Sequence, residues 1–400
     1  MRTMLLLIAS LAFAPTLSAG DWPQFRGATG LGFSEDKNLP TEWSKDKGLR
    51  WKAELPSRGL SGPVIVGDRV YVTCSSGTRD DRLHVLAFDV KTGKELWHRQ
   101  LAATGSTACH PKTCMAAPTP AADANGVYAL FATGDLAAFD RDGNLRWYRS
   151  LVGDYPAVSN QVGMAASLAI AKDRLIVPMD NAGDSFLAAI DTKTGKNLWK
   201  IDRPRDINWT TPILRQVGDV TEVLFMSPKG LFAYDVATGK ERWTYKQGGG
   251  SIPSPTLAGG MLFLPTNGVT AVKLTDKGAV GDAAWKGTGL TTKNASPQVY
   301  DGRIYTVNES GIVTCAEADT GKVIWKERLK GVFSASPIAG DNKLYVVDEA
   351  GTTSVLRTDS EAMDILGTNA IGEEVLGTPA IADGALFIRT GKSLFCVGKK

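Results

Sequence analysis

Short apolar runs separated by glycine turns recur along the chain. One unit starts with a small residue before proline, in ASPIAG at 335–340, and continues through an apolar run, KLYVVD at 343–348. Runs rich in Val, Ile, Leu, Tyr and Phe are typical of strands that are covered on both faces. Because the units repeat at intervals of 40 to 52 residues, judged from their tryptophans, the pattern predicts an all-β repeat protein.

The strand starts predict eight units. They read SGPVIV (61), AAPTPA (116), AASLAI (165), TTPILR (210), PSPTLA (253), ASPQVY (295), ASPIAG (335) and GTPAIA (377). Four short strands per unit, arranged radially, make a β-propeller. The predicted fold is therefore an eight-bladed β-propeller with four-stranded antiparallel blades.

The last unit ends at SLFCVGKK without a fourth strand. GLRWKAEL at 48–55 has the pattern of the missing strand, with Trp51 at the expected place. We therefore predict that an N-terminal strand closes the last blade, which would remove a free sheet edge. Loss of residues 48–55 is expected to cost far more stability than loss of residues 21–40.

The string DTKTGKNLW at 191–199 has close copies in other units. Its Asp can cap the turn, its Gly can adopt a positive φ, and its Trp lies ten positions after a small residue, Ala189. A large indole repeatedly paired with a small partner predicts packing between blades. We assign this structural role to Trp51, Trp97, Trp147, Trp199, Trp243, Trp285 and Trp325.

Three segments are predicted along the chain. Residues 1–20 have the charged start, apolar core and small residues of a secretory signal peptide, residues 21–47 form a leader, and residues 48–400 form one propeller domain. An exported protein, periplasmic or secreted, is expected.

The charge of the mature chain favours no particular partner. Without Arg2 the 45 basic residues become 44 against 42 acidic ones, a net charge of +2 that favours neither nucleic acid nor an anionic membrane. We expect no further membrane segment and a monomer.

The segment GSTACHPKTCMAAP at 105–118 is the most unusual loop. Cys109 and Cys114 could form a small disulfide loop in an exported protein, although five cysteines leave at least one thiol unpaired within the chain. With three histidines and no zinc-ligand spacing, no metal site is predicted.

Polar residues that the blades do not require occur in the loops before the innermost strands. These loops converge at one end of the channel. Trp209 interrupts the tryptophan period, and it could stack on a planar ring or plug the funnel. The candidate ligand-binding residues are Arg58, His110, Asn160, Gln161, Arg205, Asn208, Trp209 and Lys293.

The strings AFDVKTGKELW, AIDTKTGKNLW and AYDVATGKERW resemble the tryptophan-docking motif of the quinoprotein, or pyrroloquinoline quinone (PQQ), type of eight-bladed propeller. DWPQFRGATGLGFSE at 21–35 also resembles the leader of exported bacterial PQQ-like repeat proteins. The resemblance implies the propeller fold. In the dehydrogenases of that family it further implies PQQ held with calcium beneath a stacking Trp, beside a disulfide of adjacent cysteines.

This chain has no adjacent cysteine pair and no match to the calcium-ligand motifs of those enzymes. The family also includes non-catalytic members, such as the periplasmic propeller lipoprotein that serves outer-membrane barrel assembly. Our leading hypothesis is therefore a non-catalytic binding or scaffold module without a cofactor, acting through its channel-mouth loops on a protein or small-molecule partner. The alternative is a PQQ-dependent dehydrogenase in which Trp209 stacks on the quinone, with Arg205 and Lys293 as carboxylate partners. A glycan-binding module is a third hypothesis.

Overall fold

The computed structural model describes residues 20–159, 162–279 and 281–399. Their strands form eight sheets, the blades, and the strand order confirms the predicted eight-bladed propeller of antiparallel blades. Two strands lie before the first blade, β1 (Phe33–Ser34) and β2 (Leu49–Glu54).

The first four blades follow the chain from inside to outside. Blade 1 holds β3 (Val64–Val66), β4 (Arg69–Ser76), β5 (Arg82–Asp89) and β6 (Glu95–Ala102). Blade 2 holds β7 (Ala121–Asp123), β8 (Gly126–Leu130), β9 (Asp135–Asp140) and β10 (Leu145–Ser150), followed by the one-turn helix α1 (Leu151–Asp154). Blade 3 holds β11 (Ala169–Ala171), β12 (Arg174–Met179), β13 (Phe186–Asp191) and β14 (Asn197–Asp202). Blade 4 holds β15 (Ile213–Val217), β16 (Val220–Ser227), β17 (Gly230–Asp235) and β18 (Glu241–Tyr245).

The last four blades repeat the arrangement with two variations. Blade 5 holds β19 (Thr256–Ala258), β20 (Met261–Thr266) and β21 (Gly268–Thr275), and both β22 (Gly278–Ala279) and β23 (Trp285–Gly287) pair with β21. Blade 6 holds β24 (Gln298–Tyr300), β25 (Arg303–Val307), β26 (Ile312–Glu317) and β27 (Val323–Arg328). Blade 7 holds β28 (Ile338–Gly340), β29 (Lys343–Val347), β30 (Thr352–Arg357) and β31 (Ile365–Ala370), with β1 added in parallel to β28. Blade 8 holds β32 (Ala380–Ala382), β33 (Ala385–Arg389) and β34 (Ser393–Val397).

The N-terminal strand β2 closes the ring as predicted. It pairs antiparallel with β34 in blade 8, and Trp51 lies opposite Cys396. The indole of Trp51 donates to the carbonyl of Val90 in blade 1 at 2.9 Å. The first and last blades are therefore joined both by a ladder of backbone hydrogen bonds and by one buried aromatic side chain.

The leader, residues 21–47, is bound to the innermost strands around much of the ring. Trp22 forms a two-way backbone bridge to Ile65 in β3, and the Pro23 carbonyl accepts from the residue at position 122 in β7. The side chain of Gln24 accepts from the backbone at position 170 in β11. Loss of residues 21–40 should therefore also cost stability, since the segment supplies ordered hydrogen bonds and buried side chains to several blades, and the larger cost of losing residues 48–55 stays a prediction.

The repeated turn and the tryptophan of the preceding blade fit together. At Gly195 φ is +70°, and an added Cβ would lie 2.7 Å from the ring of Trp147, so both the backbone and the packing require glycine. The indole of Trp147 donates to the carbonyl of Thr192 at 3.0 Å. The indoles at positions 51, 97, 199 and 285 donate in the same way to carbonyls at 90, 141, 236 and 318.

The hydrogen bonding of the tryptophan indoles changes where the turn of the next blade departs from the repeated DTKTGKNLW pattern. The indole of Trp243 donates to the Glu222 side chain at 3.2 Å instead of a turn carbonyl. The buried indole N–H of Trp325 has no hydrogen-bond partner within the described residues. In the next blade Ile365 stands ten positions after Val355, where the other units have tryptophan, and Val355 lies opposite Gly367 instead.

A pair of histidines, of which His84 is buried and His98 half-buried, gives the fold a pH dependence. His84 bonds to the Ser76 hydroxyl at 2.7 Å and to the His98 ring at 2.9 Å. Burial, with a smaller contribution from the charges of His98 and Arg82, lowers the pKa of His84 to about 4. Between about pH 4 and pH 6.5 the unfolded chain therefore binds a proton at this position that the folded chain does not bind.

We expect stability to fall as the pH drops from 6.5 towards 4, with a contribution from His84 of at most about 1.4 kcal/mol per pH unit. Urea unfolding of the wild type and His84→Gln at several pH values measures it, and the variant should show the shallower slope. His110→Gln removes an exposed imidazole and serves as the control. If the free energy of unfolding depends on pH equally in the wild type and in His84→Gln, the lowered pKa is wrongly assigned to His84.

Candidate functional site

In each blade, the residue before the proline of the strand start, or before Leu168 in blade 3, lies beside the channel. Its backbone N–H donates to the side-chain hydroxyl of the equivalent residue in the next blade, over 2.8–3.1 Å. We call these hydroxyl-bearing residues the hydroxyl belt: Thr119, Ser167, Thr211, Ser254, Ser296, Ser336 and Thr378. Gly62 occupies the eighth position and contributes only its N–H.

The belt lines a cavity of about 660 Å³, which we call the mouth cavity. Phe25 of the leader forms part of its wall, and Trp209 and Ile252 lie in the loops on the opposite side of the belt. The leader binds β3, β7 and β11 beyond the belt, so it crosses the end of the channel away from those loops. The ligand-accessible end is therefore the one that the loops surround.

Paired charges surround the mouth of the cavity. Lys293 contacts Glu309 at 2.6 Å, and Lys112 contacts Glu349 at 3.2 Å and Glu309 at 3.8 Å. The hydrogen bond from Lys293 lowers the pKa of the Glu309 carboxyl. The Ser334 hydroxyl also donates to Glu349, at 2.6 Å. Since Lys112 belongs to the loop between blades 1 and 2 and its partners to blades 6 and 7, the pairs bridge opposite sides of the mouth.

Three of the sequence-predicted site residues meet at this cavity: His110, Trp209 and Lys293. The Trp209 indole is fixed by a 2.9 Å hydrogen bond to the carbonyl of Gly163. His110 accepts at Nδ1 from the backbone of Lys112 at 3.1 Å, which holds the loop that presents both side chains.

Three other predicted residues lie elsewhere. Arg58 donates to the carbonyls of Pro111 and Thr113, so it supports the 105–118 loop from outside the cavity. Asn208 is buried and uses its amide on Asp180 and on the carbonyl of position 226, at 3.0 and 2.8 Å. Arg205 pairs with Asp184 beside a separate cavity of about 450 Å³, so it does not join Trp209 and Lys293.

Asn160 and Gln161 lie outside the described residues. The disulfide suggested for Cys109 and Cys114 is not formed, and both thiols are free in the structure. Cys114 is buried in the hydrophobic core, whereas Cys109 is half-buried and its sulfur lies 3.9 Å from the carbonyl of Thr113. Burial raises the pKa of both thiols.

Sequence reasoning missed the leader residues in the channel and the belt. Six of the seven belt hydroxyls were visible as Ser or Thr before proline in the strand starts, and Ser167 before Leu168, but they were interpreted only as strand signals. Glu309 and Glu349 carry no local signal, because their role depends on lysines from loops distant in sequence.

The donor set at the mouth does not suit a calcium-held quinone. Calcium prefers several oxygen ligands including carboxylates, but Glu309 and Glu349 are each engaged by a lysine. Residues 20–159, 162–279 and 281–399 contain no group of three or more His, Cys, Asp or Glu side chains that could hold a metal ion.

Eight four-stranded blades, with tryptophans docked on the turns of the next blade, define an eight-bladed propeller of the PQQ-like repeat class. A family model described as outer membrane protein assembly factor BamB, of the PQQ_2 type, matches residues 28–200, 183–294 and 266–366. Because these matches cover most of the sequence, the chain belongs to this family.

Known relatives come from two functional groups. The chain is 25% identical to a polyvinylalcohol dehydrogenase of Sphingopyxis sp. over 239 residues, 49% of this chain and 35% of that protein. It is 27% identical to outer membrane protein assembly factor BamB of Alkalilimnicola ehrlichii over 161 residues, 40% of this chain and 37% of that protein. The matches thus span little more than a third of these curated relatives.

Among solved structures, a europium-containing methanol dehydrogenase superposes with a TM-score of 0.72 at 12% identity, covering 96% of this chain and 98% of the other. At that identity the likeness shows the fold alone. In the part of the chain that the structure describes, no helix has the length and apolar character needed to cross a membrane.

Proposed function

We propose that this protein is an exported, non-catalytic binding module that takes a small ligand into the mouth cavity. The observation that carries the proposal is the cavity itself, about 660 Å³ inside a channel that the leader crosses at the other end. Small-molecule sites commonly fall between about 300 and 1,000 Å³ and combine apolar walls with a few convergent polar groups. Phe25 and Trp209 supply such walls, and the belt supplies the polar groups.

Export rests on the signal-like residues 1–20, of which 1–19 lie outside the described residues. The similarity to a BamB protein is compatible with an exported protein that performs no chemistry. Under this proposal the blades and their repeated turns are scaffold, and the loops at the mouth select the ligand.

A PQQ-dependent dehydrogenase is the second candidate. It is favoured by the similarity to polyvinylalcohol dehydrogenase over about half the chain and by the position of Trp209 at the cavity. Against it, the carboxylates at the mouth are paired with lysines, and Arg205 lies at a different cavity from Lys293.

The two candidates are separated by titrating the full chain with PQQ, with and without calcium. Tryptophan fluorescence reports binding, and dye reduction with short alcohols or polyvinyl alcohol reports turnover. We expect no dye reduction under any of these conditions. Calcium-dependent quenching together with turnover, both lost in Trp209→Phe but retained in Trp243→Phe, would replace the binding module by the dehydrogenase.

A further inference from the structure

The hydroxyl belt presents hydrogen-bond donors to the channel. Each of its seven hydroxyl oxygens accepts a backbone N–H from the preceding blade, which occupies one acceptor position. None of these hydroxyls donates to an acceptor within the residues that the structure describes. A serine or threonine hydroxyl carries one proton to donate, and a buried donor without an acceptor is costly. The belt therefore suits a ligand that accepts hydrogen bonds.

A buried positive charge lies next to the belt. The Arg26 guanidinium donates to the carbonyl of Pro297 at 2.7 Å and more weakly to the carbonyl of Pro255 at 3.5 Å. These prolines directly follow the belt residues Ser296 and Ser254, so the guanidinium lies just behind the belt on the leader side, while its own atoms do not line the mouth cavity. The side chain of Arg26 comes from the leader, which crosses the far end of the channel.

The charge of Arg26 has no counter-ion within the described residues. Its other partners are the carbonyl of Leu31 and the amide oxygen of Gln298, and its Nε has no hydrogen-bond partner among residues 20–159, 162–279 and 281–399. Burial lowers the pKa of Arg26 to about 9, which reflects the cost of holding the charge out of water. A bound metal cation would add to this cost, whereas an anion would relieve it.

We propose that the mouth cavity binds an oxyanion, a carboxylate or phosphate group of a small molecule, which accepts hydrogen bonds from the belt and balances the charge of Arg26. The proposal rests on the proposed function, because it names the ligand class of the same cavity. Lys112 and Lys293 lie at the mouth, each paired with a glutamate, so these side chains carry no net charge and the charge of Arg26 sets the preference for an anion. The apolar walls at Phe25 and Trp209 accommodate the remainder of the molecule.

Two neutral alternatives make the same hydrogen bonds but not the same charge balance. Water and neutral carbonyl compounds can accept from the belt, yet neither compensates a buried guanidinium. The difference in binding affinity between a carboxylate and its amide therefore measures the contribution of charge, because the two compounds have nearly the same shape.

The experiment is isothermal titration of the full chain at constant ionic strength with succinate, its diamide succinamide, and inorganic phosphate. We expect saturable binding of succinate or phosphate, and the stronger of the two identifies the kind of oxyanion. Succinamide should bind at least about tenfold more weakly, as should succinate or phosphate to Arg26→Gln, because interactions with a charged partner are the stronger ones. Arg26→Lys should retain most of the affinity.

Arg205→Gln is the matched control, since it removes the same group from the separate cavity and should leave the affinity unchanged. If Arg26→Gln does not fold, Ser296→Ala tests the belt, with Ser296→Thr as the variant that keeps the hydroxyl. Equal binding of succinate and succinamide, or unchanged affinity in the belt and Arg26 variants, would overturn the oxyanion class while leaving a ligand site at the mouth. No saturable binding of either anion would also overturn it, and the PQQ titration then decides the proposed function separately.

Discussion

Replacing Trp51 by alanine is expected to lower the free energy of unfolding by about 3–5 kcal/mol, the cost of truncating a large buried aromatic side chain. Trp51 lies in the strand that closes the ring, packs edge-on against Phe387 in blade 8, and donates to Val90 in blade 1. The substitution therefore weakens the contact between the two ends of the repeat. Urea unfolding of the full chain, followed by circular dichroism, measures the loss.

Lys52→Ala is the control for this prediction. Lys52 is the next residue of the same strand, and its ion pair with Glu373 is partly exposed, so the substitution should change stability by less than about 1 kcal/mol. Similar losses for Trp51→Ala and Lys52→Ala would mean that the indole does not hold the first and last blades together.

Replacing Asp180 by asparagine is expected to destabilise the fold by about 3–5 kcal/mol, because it leaves the charge of Arg203 buried without a counter-charge. The two side chains are 1% and 0% exposed, and Arg203 Nε lies 2.8 Å from the Asp180 carboxylate. The guanidinium also lies 4.2 Å from the centre of the Phe225 ring, so an aromatic face covers one side of the charge. Urea unfolding again gives the value.

The chain provides a matched exposed pair for this test. Asp184 pairs with Arg205, whose side chains are 52% and 70% exposed, so Asp184→Asn should cost less than about 1 kcal/mol. If Asp180→Asn and Asp184→Asn lose the same stability, burial does not control the strength of the pair at Asp180.

Much of the fold was predictable because each repeat unit carries its strand and turn signals within a short stretch of sequence. Strand starts, glycine turns and tryptophan spacing gave the number of blades, and the missing fourth strand of the last unit pointed to residues 48–55. These signals depend on strand periodicity and on turn geometry, which act over a few residues.

The leader and the details of the site were less predictable. The parallel pairing of β1 with β28 joins positions about 300 residues apart and leaves no pattern in either segment. The same holds for Arg26, whose partners are carbonyls at 255 and 297, since any residue supplies a carbonyl. Trp209 and Lys293 were identified because they depart from the repeat, whereas Arg205 and Asn208 depart from it for reasons of local packing.

Cysteine labelling tests most directly whether the channel is open at the loops and lined by the belt. In a Cys109→Ser background the other four cysteines are buried, so a single new cysteine reports its own access to solvent. We predict that Ser296→Cys in the belt reacts in the folded protein with a small thiosulfonate reagent, read by mass spectrometry. Thr306→Cys, in the same blade but fully buried outside the cavity, should react only when the chain unfolds. A belt cysteine as inert as the one at 306 would contradict the open cavity.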